Sequence, residues 1–101
     1  MNAVTALSGS GPAYIFYFLE SFQKAALALD FDKKTARMLA LKTFEGALDL
    51  AQTGDFRELR HNVTSRGGTT EAAISILRKS EIIQIVQRAV RAAHSRAREL
   101  S

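Results

Sequence analysis

Residues 13–19 read AYIFYFL, seven apolar or aromatic side chains in a row, and this stretch decides the fold. A run this short fits a buried strand as well as a helix. The residues after it favour the helix, because large and small apolar side chains continue at steps of three and four: Phe18, Phe22, Ala25 and Leu29. Pro12 precedes the run, and proline is favoured at the first position of a helix. The sequence therefore predicts a helix from Pro12 that is apolar on almost every side in its first two turns.

Such a helix has to be covered on all sides, and a chain of 101 residues offers few other helices to cover it. A second copy of the same chain is the simplest cover. We therefore predict a protein that associates with itself.

The composition is that of one globular domain, residues 1–101, with 47% hydrophobic and 24% charged residues. The chain has no cysteine, and its two histidines, His61 and His94, cannot form a typical zinc site. No metal site is predicted. The net charge of +4 is a mild excess that does not indicate a dedicated nucleic-acid binder.

The rest of the chain is also predicted to be helical. Residues 1–11 contain SGSG, which favours a flexible start made of small residues. Asp32 is a good N-cap after a break at residues 30–32. Gly54 is a plausible left-handed end of that second helix, and a short helix follows over residues 55–61. Thr69 or Thr70 can cap the next helix, and Ser80 can cap a last one from Glu81. The predicted fold is an all-α bundle of about five helices.

The segment 63–70, VTSRGGTT, is the most unusual part of the sequence. Two adjacent glycines let a backbone approach a ligand, and a helix that starts behind them offers unpaired N–H groups and a positive dipole. A carboxylate or phosphate would fit there. A glycine turn followed by a threonine N-cap explains the same residues, and the sequence pattern alone leaves both interpretations open.

Three kinds of segment are not found in the sequence. There is no Gly-rich strand-to-helix turn followed by an acidic residue, so any dinucleotide-binding fold is expected to lie outside this chain. No stretch reaches the roughly 18 apolar residues of a membrane span, and the N-terminus does not resemble a signal peptide. A cytoplasmic protein without membrane contact is expected.

Two motifs at a characteristic separation identify a family. SGSGPAY at residues 8–14 and VTSRGGTT at residues 63–70, with RAREL at the end of the chain, together resemble the C-terminal domain of pyrroline-5-carboxylate reductase. The resemblance implies a helical domain that forms an interlocked homodimer, which often assembles further into a decamer. It also implies an N-terminal Rossmann domain, absent from this chain, that binds NADPH or NADH. The implied reaction reduces 1-pyrroline-5-carboxylate to L-proline, and the chain alone is expected to be inactive.

The resemblance also implies roles for individual residues. The substrate would be bound by the loop residues Ser65, Gly67, Gly68, Thr69 and Thr70, and of these Ser65, Gly68 and Thr69 would donate to its carboxylate. Thr70 matches the threonine that contacts the ring nitrogen and is the predicted catalytic residue. Asn62 and Val63 match positions that reach toward the cofactor.

This chain departs from the family pattern at two positions. Arg66 stands where proline is usual, which should loosen the loop and place a positive charge beside the carboxylate site. His61 stands where an acidic residue is usual, and a single histidine on a short surface helix is more often simply solvated.

Two alternatives come from other functional classes. The first is a free-standing helical dimer that has lost catalysis and acts as an interaction or regulatory module. The second is a nucleic-acid binder that uses the arginines of the last helix, but no aromatic platform accompanies them.

Overall fold

The computed structural model describes residues 2–101, and the regular secondary structure of that part is entirely helical, without a strand. A short N-terminal segment, α1 (Asn2–Val4), continues into a π-helix (Thr5–Gly9). Five longer helices follow: α2 (Gly11–Ala28), α3 (Lys33–Ala51), α4 (Phe56–Asn62), α5 (Thr69–Lys79) and α6 (Ile82–Leu100). The predicted all-α class and the five helices are confirmed.

The break between α2 and α3 lies where the sequence predicted it. Asp30 has a φ of 72°, and the N–H of Phe31 donates to the carbonyl of Ala26 at 3.2 Å, which closes the end of α2. Asp32 then caps α3, because its Oδ1 accepts a hydrogen bond of 2.7 Å from the N–H of Thr35. The bonds from Thr35 hold the pKa of the Asp32 carboxyl below its ordinary value.

Three predicted helix caps or stops are wrong. The helix α3 ends in a right-handed turn at Gln52, so Gly54 is not its left-handed stop. Gly68, not Thr69 or Thr70, occupies the N-cap of α5. Ser80 closes the C-terminus of α5, where its N–H donates to the carbonyl of Ile76, and Glu81 with a φ of 58° opens α6. At the C-termini of α3 and α5 backbone hydrogen bonds close the last turn, whereas the N-cap residues of α5 and α6 make no side-chain cap bond.

The chain divides into two compact units, and the first comprises residues 2–12 with 62–101. In this unit α6 packs against α5, α1 and the π-helix. Ala6 of the π-helix is 1% exposed. The flexible start predicted for the first eleven residues is therefore wrong from residue 2 onward, because that segment is helical and packs on α6; Met1 lies outside the described residues.

The second unit comprises residues 13–61. Its helices α2 and α3 meet at an edge-to-face contact between Phe22 and Phe44, with ring centroids 5.1 Å apart and an interplanar angle of 78°. Ala36 and Ala40 of α3 are buried. An open groove of about 340 Å³ lies between the two helices and is lined by Phe16, Leu19, Glu20, Gln23, Arg37, Ala40 and Leu41.

The single chain buries very little apolar surface. Among residues 2–101 the buried side chains are all alanines, Ala6, Ala36 and Ala40, and no large side chain is fully buried. In the predicted all-apolar helix, Phe16 is 67% and Tyr17 is 71% exposed. Domains of this size normally enclose several large apolar side chains. The apolar surface of α2 is therefore left without cover in one chain, as the sequence indicated.

None of the helices between residues 2 and 101 combines the length and the hydrophobicity needed to cross a bilayer. The interlocked arrangement of two chains stays a prediction, and so does the organisation as one domain.

Candidate anion-binding site

The predicted site lies in one continuous segment that joins α4 to α5. Asn62 is the last residue of α4, the chain turns through residues 63–68, and α5 begins at Thr69. The turn is closed by a hydrogen bond of 3.1 Å from the N–H of Gly68 to the carbonyl of Ser65. Gly67 has a φ of 72°, a conformation that costs other residues roughly 1–2 kcal/mol. A glycine at position 67 therefore has a local structural reason.

Gly68 is favoured for a different reason, the close approach of Ser65. A Cβ atom placed on Gly68 would lie 2.6 Å from Oγ of Ser65 and 3.2 Å from its carbonyl oxygen. At 2.6 Å the Cβ atom would force the Ser65 hydroxyl to move, and at 3.2 Å it would be in tight contact with the Ser65 carbonyl. The absence of a side chain at position 68 therefore brings the Ser65 hydroxyl up to the start of α5.

The N-terminus of α5 has no side-chain cap. Its N-cap residue is Gly68, and the first backbone bond of the helix runs from the N–H of Ala72 to the carbonyl of Gly68 at 3.2 Å. Within the described residues, the N–H groups of Thr69, Thr70 and Glu71 make no hydrogen bond. Unpaired donors at a helix N-terminus favour an anion through direct bonds and through the helix dipole.

Hydroxyl side chains belong to the same segment as these free donors. The side chains of Ser65, Thr69 and Thr70 have no hydrogen-bond partner in the part of the chain that the structure describes. Ser65 and Thr69 are exposed, and Thr70 is half-buried. A carboxylate offers about four lone-pair positions, which a group of N–H and O–H donors can satisfy.

The two glycine N–H groups are already used. The N–H of Gly67 donates to Oε1 of Glu71 at 3.1 Å, and that of Gly68 donates to Ser65. The glycines therefore shape the loop, while the free donors come from the residues that follow. Glu71 was not among the predicted site residues, although an acidic residue at the third position of a helix often bonds back to the backbone before it.

The other predicted residues lie at the edges of this segment. Val63 is 64% exposed and follows Asn62 directly, so both stand at the α4 side of the loop. Arg66 is exposed at the turn, and His61 is exposed in the last turn of α4. Their roles stay predictions.

A family model described as pyrroline-5-carboxylate reductase dimerisation matches residues 1–100. The chain belongs to this family. It is 42% identical to a pyrroline-5-carboxylate reductase of Haemophilus influenzae and 41% identical to pyrroline-5-carboxylate reductase 2 of Bacillus subtilis, in each case over 99% of this chain. A family of dimerisation domains implies self-association, in agreement with the exposed apolar surface of α2.

Solved structures of the family have the same fold. A pyrroline-5-carboxylate reductase from Coxiella burnetii superimposes with a TM-score of 0.94 at 44% identity over 99% of this chain. The Plasmodium falciparum pyrroline carboxylate reductase, with NADP bound, superimposes with a TM-score of 0.91 at 31% identity over 96% of the chain. The chain spans 38% of each of these two structures and 38% of the length of the Haemophilus protein.

Proposed function

We propose that this chain is the dimerisation and substrate-loop domain of a pyrroline-5-carboxylate reductase, which uses NADPH or NADH to reduce 1-pyrroline-5-carboxylate to L-proline. The observation that carries the proposal is the uncapped start of α5 behind the two glycines. The family membership and the names of the relatives support the same reaction. The proposed assembly is a homodimer that can form a decamer, and the proposed location is the cytoplasm.

The carboxylate of the substrate is proposed to sit at the N-terminus of α5. The N–H groups of Thr69 and Thr70 and the hydroxyls of Ser65 and Thr69 are the available donors. Charge-assisted bonds from such donors are about twice as strong as bonds between neutral groups. A carboxylate held by several of them is fixed in orientation, which positions the ring attached to it.

Thr70 is proposed to act on the ring nitrogen. Reduction of the C=N bond adds hydride to the carbon, and the nitrogen must carry a proton or accept a hydrogen bond as electron density moves onto it. The Thr70 hydroxyl has no other partner in the described residues and can donate to that nitrogen. Since Thr69 and Thr70 are neighbours, one helix turn would hold both the carboxylate and the nitrogen.

The α4 side of the loop is proposed to face the cofactor. A bound nicotinamide dinucleotide would supply the hydride. The largely exposed apolar side chain of Val63 fits the face of a nicotinamide ring, and the amide of Asn62 fits its polar groups. The cofactor-binding fold itself is predicted to lie outside residues 1–101.

The test joins this whole chain to the N-terminal part of the Haemophilus influenzae relative and follows oxidation of NADPH or NADH with 1-pyrroline-5-carboxylate. Activity is expected in the fusion, and none in the chain alone. Thr70→Ala should lower kcat by about a hundredfold with little change in the KM for the cofactor, because a hydroxyl near the reacting nitrogen acts on the chemical step. Thr70→Ser retains the hydroxyl and is the matched control.

Two results would contradict the proposal. An inactive fusion that is folded and dimeric would favour the alternative of a non-catalytic helical dimer. An unchanged kcat in Thr70→Ala would remove Thr70 from the mechanism.

A further inference from the structure

Glu71 is the side chain that ties the glycine loop to α5. It is the third residue of the helix, and its Oε1 reaches back to accept a hydrogen bond of 3.1 Å from the N–H of Gly67. Gly67 is the residue with left-handed backbone in this loop. The bond therefore acts at the point where the chain turns toward the proposed carboxylate site.

The loop has few other restraints. Across residues 65–68 of the described structure, the Glu71 bond is the only one that involves a side chain, and the bond from Gly68 to the Ser65 carbonyl is the only backbone bond that closes the turn. Two adjacent glycines have more conformational freedom than any other pair of residues. Without Glu71, the N–H of Gly67 would lose its partner, and the bond from Gly68 to Ser65 alone would close the turn.

The placement of the Glu71 carboxylate leaves the proposed site open. It accepts from Gly67, while the N–H groups of Thr69 and Thr70 stay unpaired. A carboxylate has no proton to donate, so Glu71 cannot bind a second carboxylate itself. Its contribution can therefore only come through the loop, in which the Ser65 hydroxyl lies close to Gly68.

We propose that Glu71 is a positioning residue of the reductase site, which acts by holding the Gly67 N–H so that the glycine loop keeps the shape that receives the substrate carboxylate. This inference rests on the proposed function. It assigns Glu71 an effect on substrate binding and none on the chemical step.

The test compares Glu71→Ala, which removes the acceptor, with Glu71→Gln, which keeps an acceptor oxygen without the charge. In the fusion described above, Glu71→Ala should raise the KM for 1-pyrroline-5-carboxylate about tenfold, equivalent to about 1.4 kcal/mol, with kcat within about twofold. Glu71→Gln should stay close to the unaltered protein. Glu45→Ala, which also removes an exposed helical carboxylate, is the control and should change neither constant.

A second measurement is independent of activity. Hydrogen exchange of the Gly67 amide, followed by NMR in the 101-residue chain, should be about tenfold faster in Glu71→Ala and unchanged in Glu71→Gln. If the unaltered fusion has no activity, the proposed function fails, and the exchange rates still decide whether Glu71 holds the loop.

Three results would overturn the inference. The first is a KM in Glu71→Ala equal to or below that of the unaltered fusion. The second is a loss in Glu71→Gln as large as in Glu71→Ala, since the charge and not the hydrogen bond would then matter. The third is a Gly67 amide that exchanges at the same rate in all variants.

Discussion

Replacing Phe16 with alanine should weaken self-association severely, because this ring lies uncovered on α2 in the single chain. Phe16 is 67% exposed and lines the open groove between α2 and α3. A phenylalanine has about 200 Å² of surface, so about 130 Å² of Phe16 is exposed to solvent in the single chain. Alanine removes about 100 Å² of this, which costs about 2.5 kcal/mol per subunit at about 25 cal/mol per Å².

The loss occurs twice in a symmetric dimer. About 5 kcal/mol per dimer raises the dissociation constant by about three to four orders of magnitude. Light scattering across a dilution series should find the unaltered chain at twice its mass of 11.1 kDa and Phe16→Ala shifted toward the monomer. Ser21→Ala is the control on the same helix, since the Ser21 hydroxyl is occupied by the Tyr17 carbonyl. If Phe16→Ala dissociates within threefold of the unaltered chain, the uncovered face of α2 is not the self-association surface.

Three further predictions concern the loop and the caps. Gly67→Ala should lower the free energy of unfolding by about 1 kcal/mol in a denaturant titration, because residue 67 has a φ of 72°, whereas Gly46→Ala, on α3 with open space around it, should not. The pKa of Asp32 is lowered in the folded chain. The carboxylate therefore stabilises α3 fully at pH values above the pKa of an unfolded aspartate, about 3.9, and this stabilisation is lost as the pH falls through the lower pKa of the folded state. Asp32→Asn keeps the cap without titrating and should show less loss of melting temperature in acid; equal acid sensitivity of both proteins would contradict this. Trypsin should cut the bond between Arg66 and Gly67 faster in Glu71→Ala than in the unaltered chain, as measured by mass spectrometry of early fragments, and equal rates would mean that the Glu71 bond does not order the turn.

The helices could be predicted from the sequence because their signals are local and repeated. The spacing of apolar residues after the aromatic run defines α2, and Asp32 caps α3 as a short-range rule requires. Helix ends are decided by competition between several partners for the same few backbone groups. At Gln52 and at Ser80 a backbone N–H bond ends the helix, where the sequence had suggested a glycine stop or a serine cap.

The candidate site was predictable in place but not in the assignment of its donors. The two glycines mark the turn, since glycine suits both the positive φ at position 67 and the close approach of Ser65 at position 68. Which N–H groups remain free depends on hydrogen bonds that form only in the folded chain. In this structure such bonds occupy the N–H groups of both glycines. The role of Glu71 depends on the direction of one flexible side chain, which the spacing of residues does not determine.

The small buried core of the single chain has a consequence during synthesis. Over residues 2–101 the buried side chains are three alanines, so a single copy has little to hold it together when it is newly made. Folding and association are then coupled, so the melting temperature should rise with protein concentration. Before a chain has bound its partner, exposed aromatic rings such as Phe16 and Tyr17 can contact any other apolar surface. Aggregation therefore competes with dimerisation during this period. The yield of functional protein from this gene should therefore depend on how quickly two nascent chains meet.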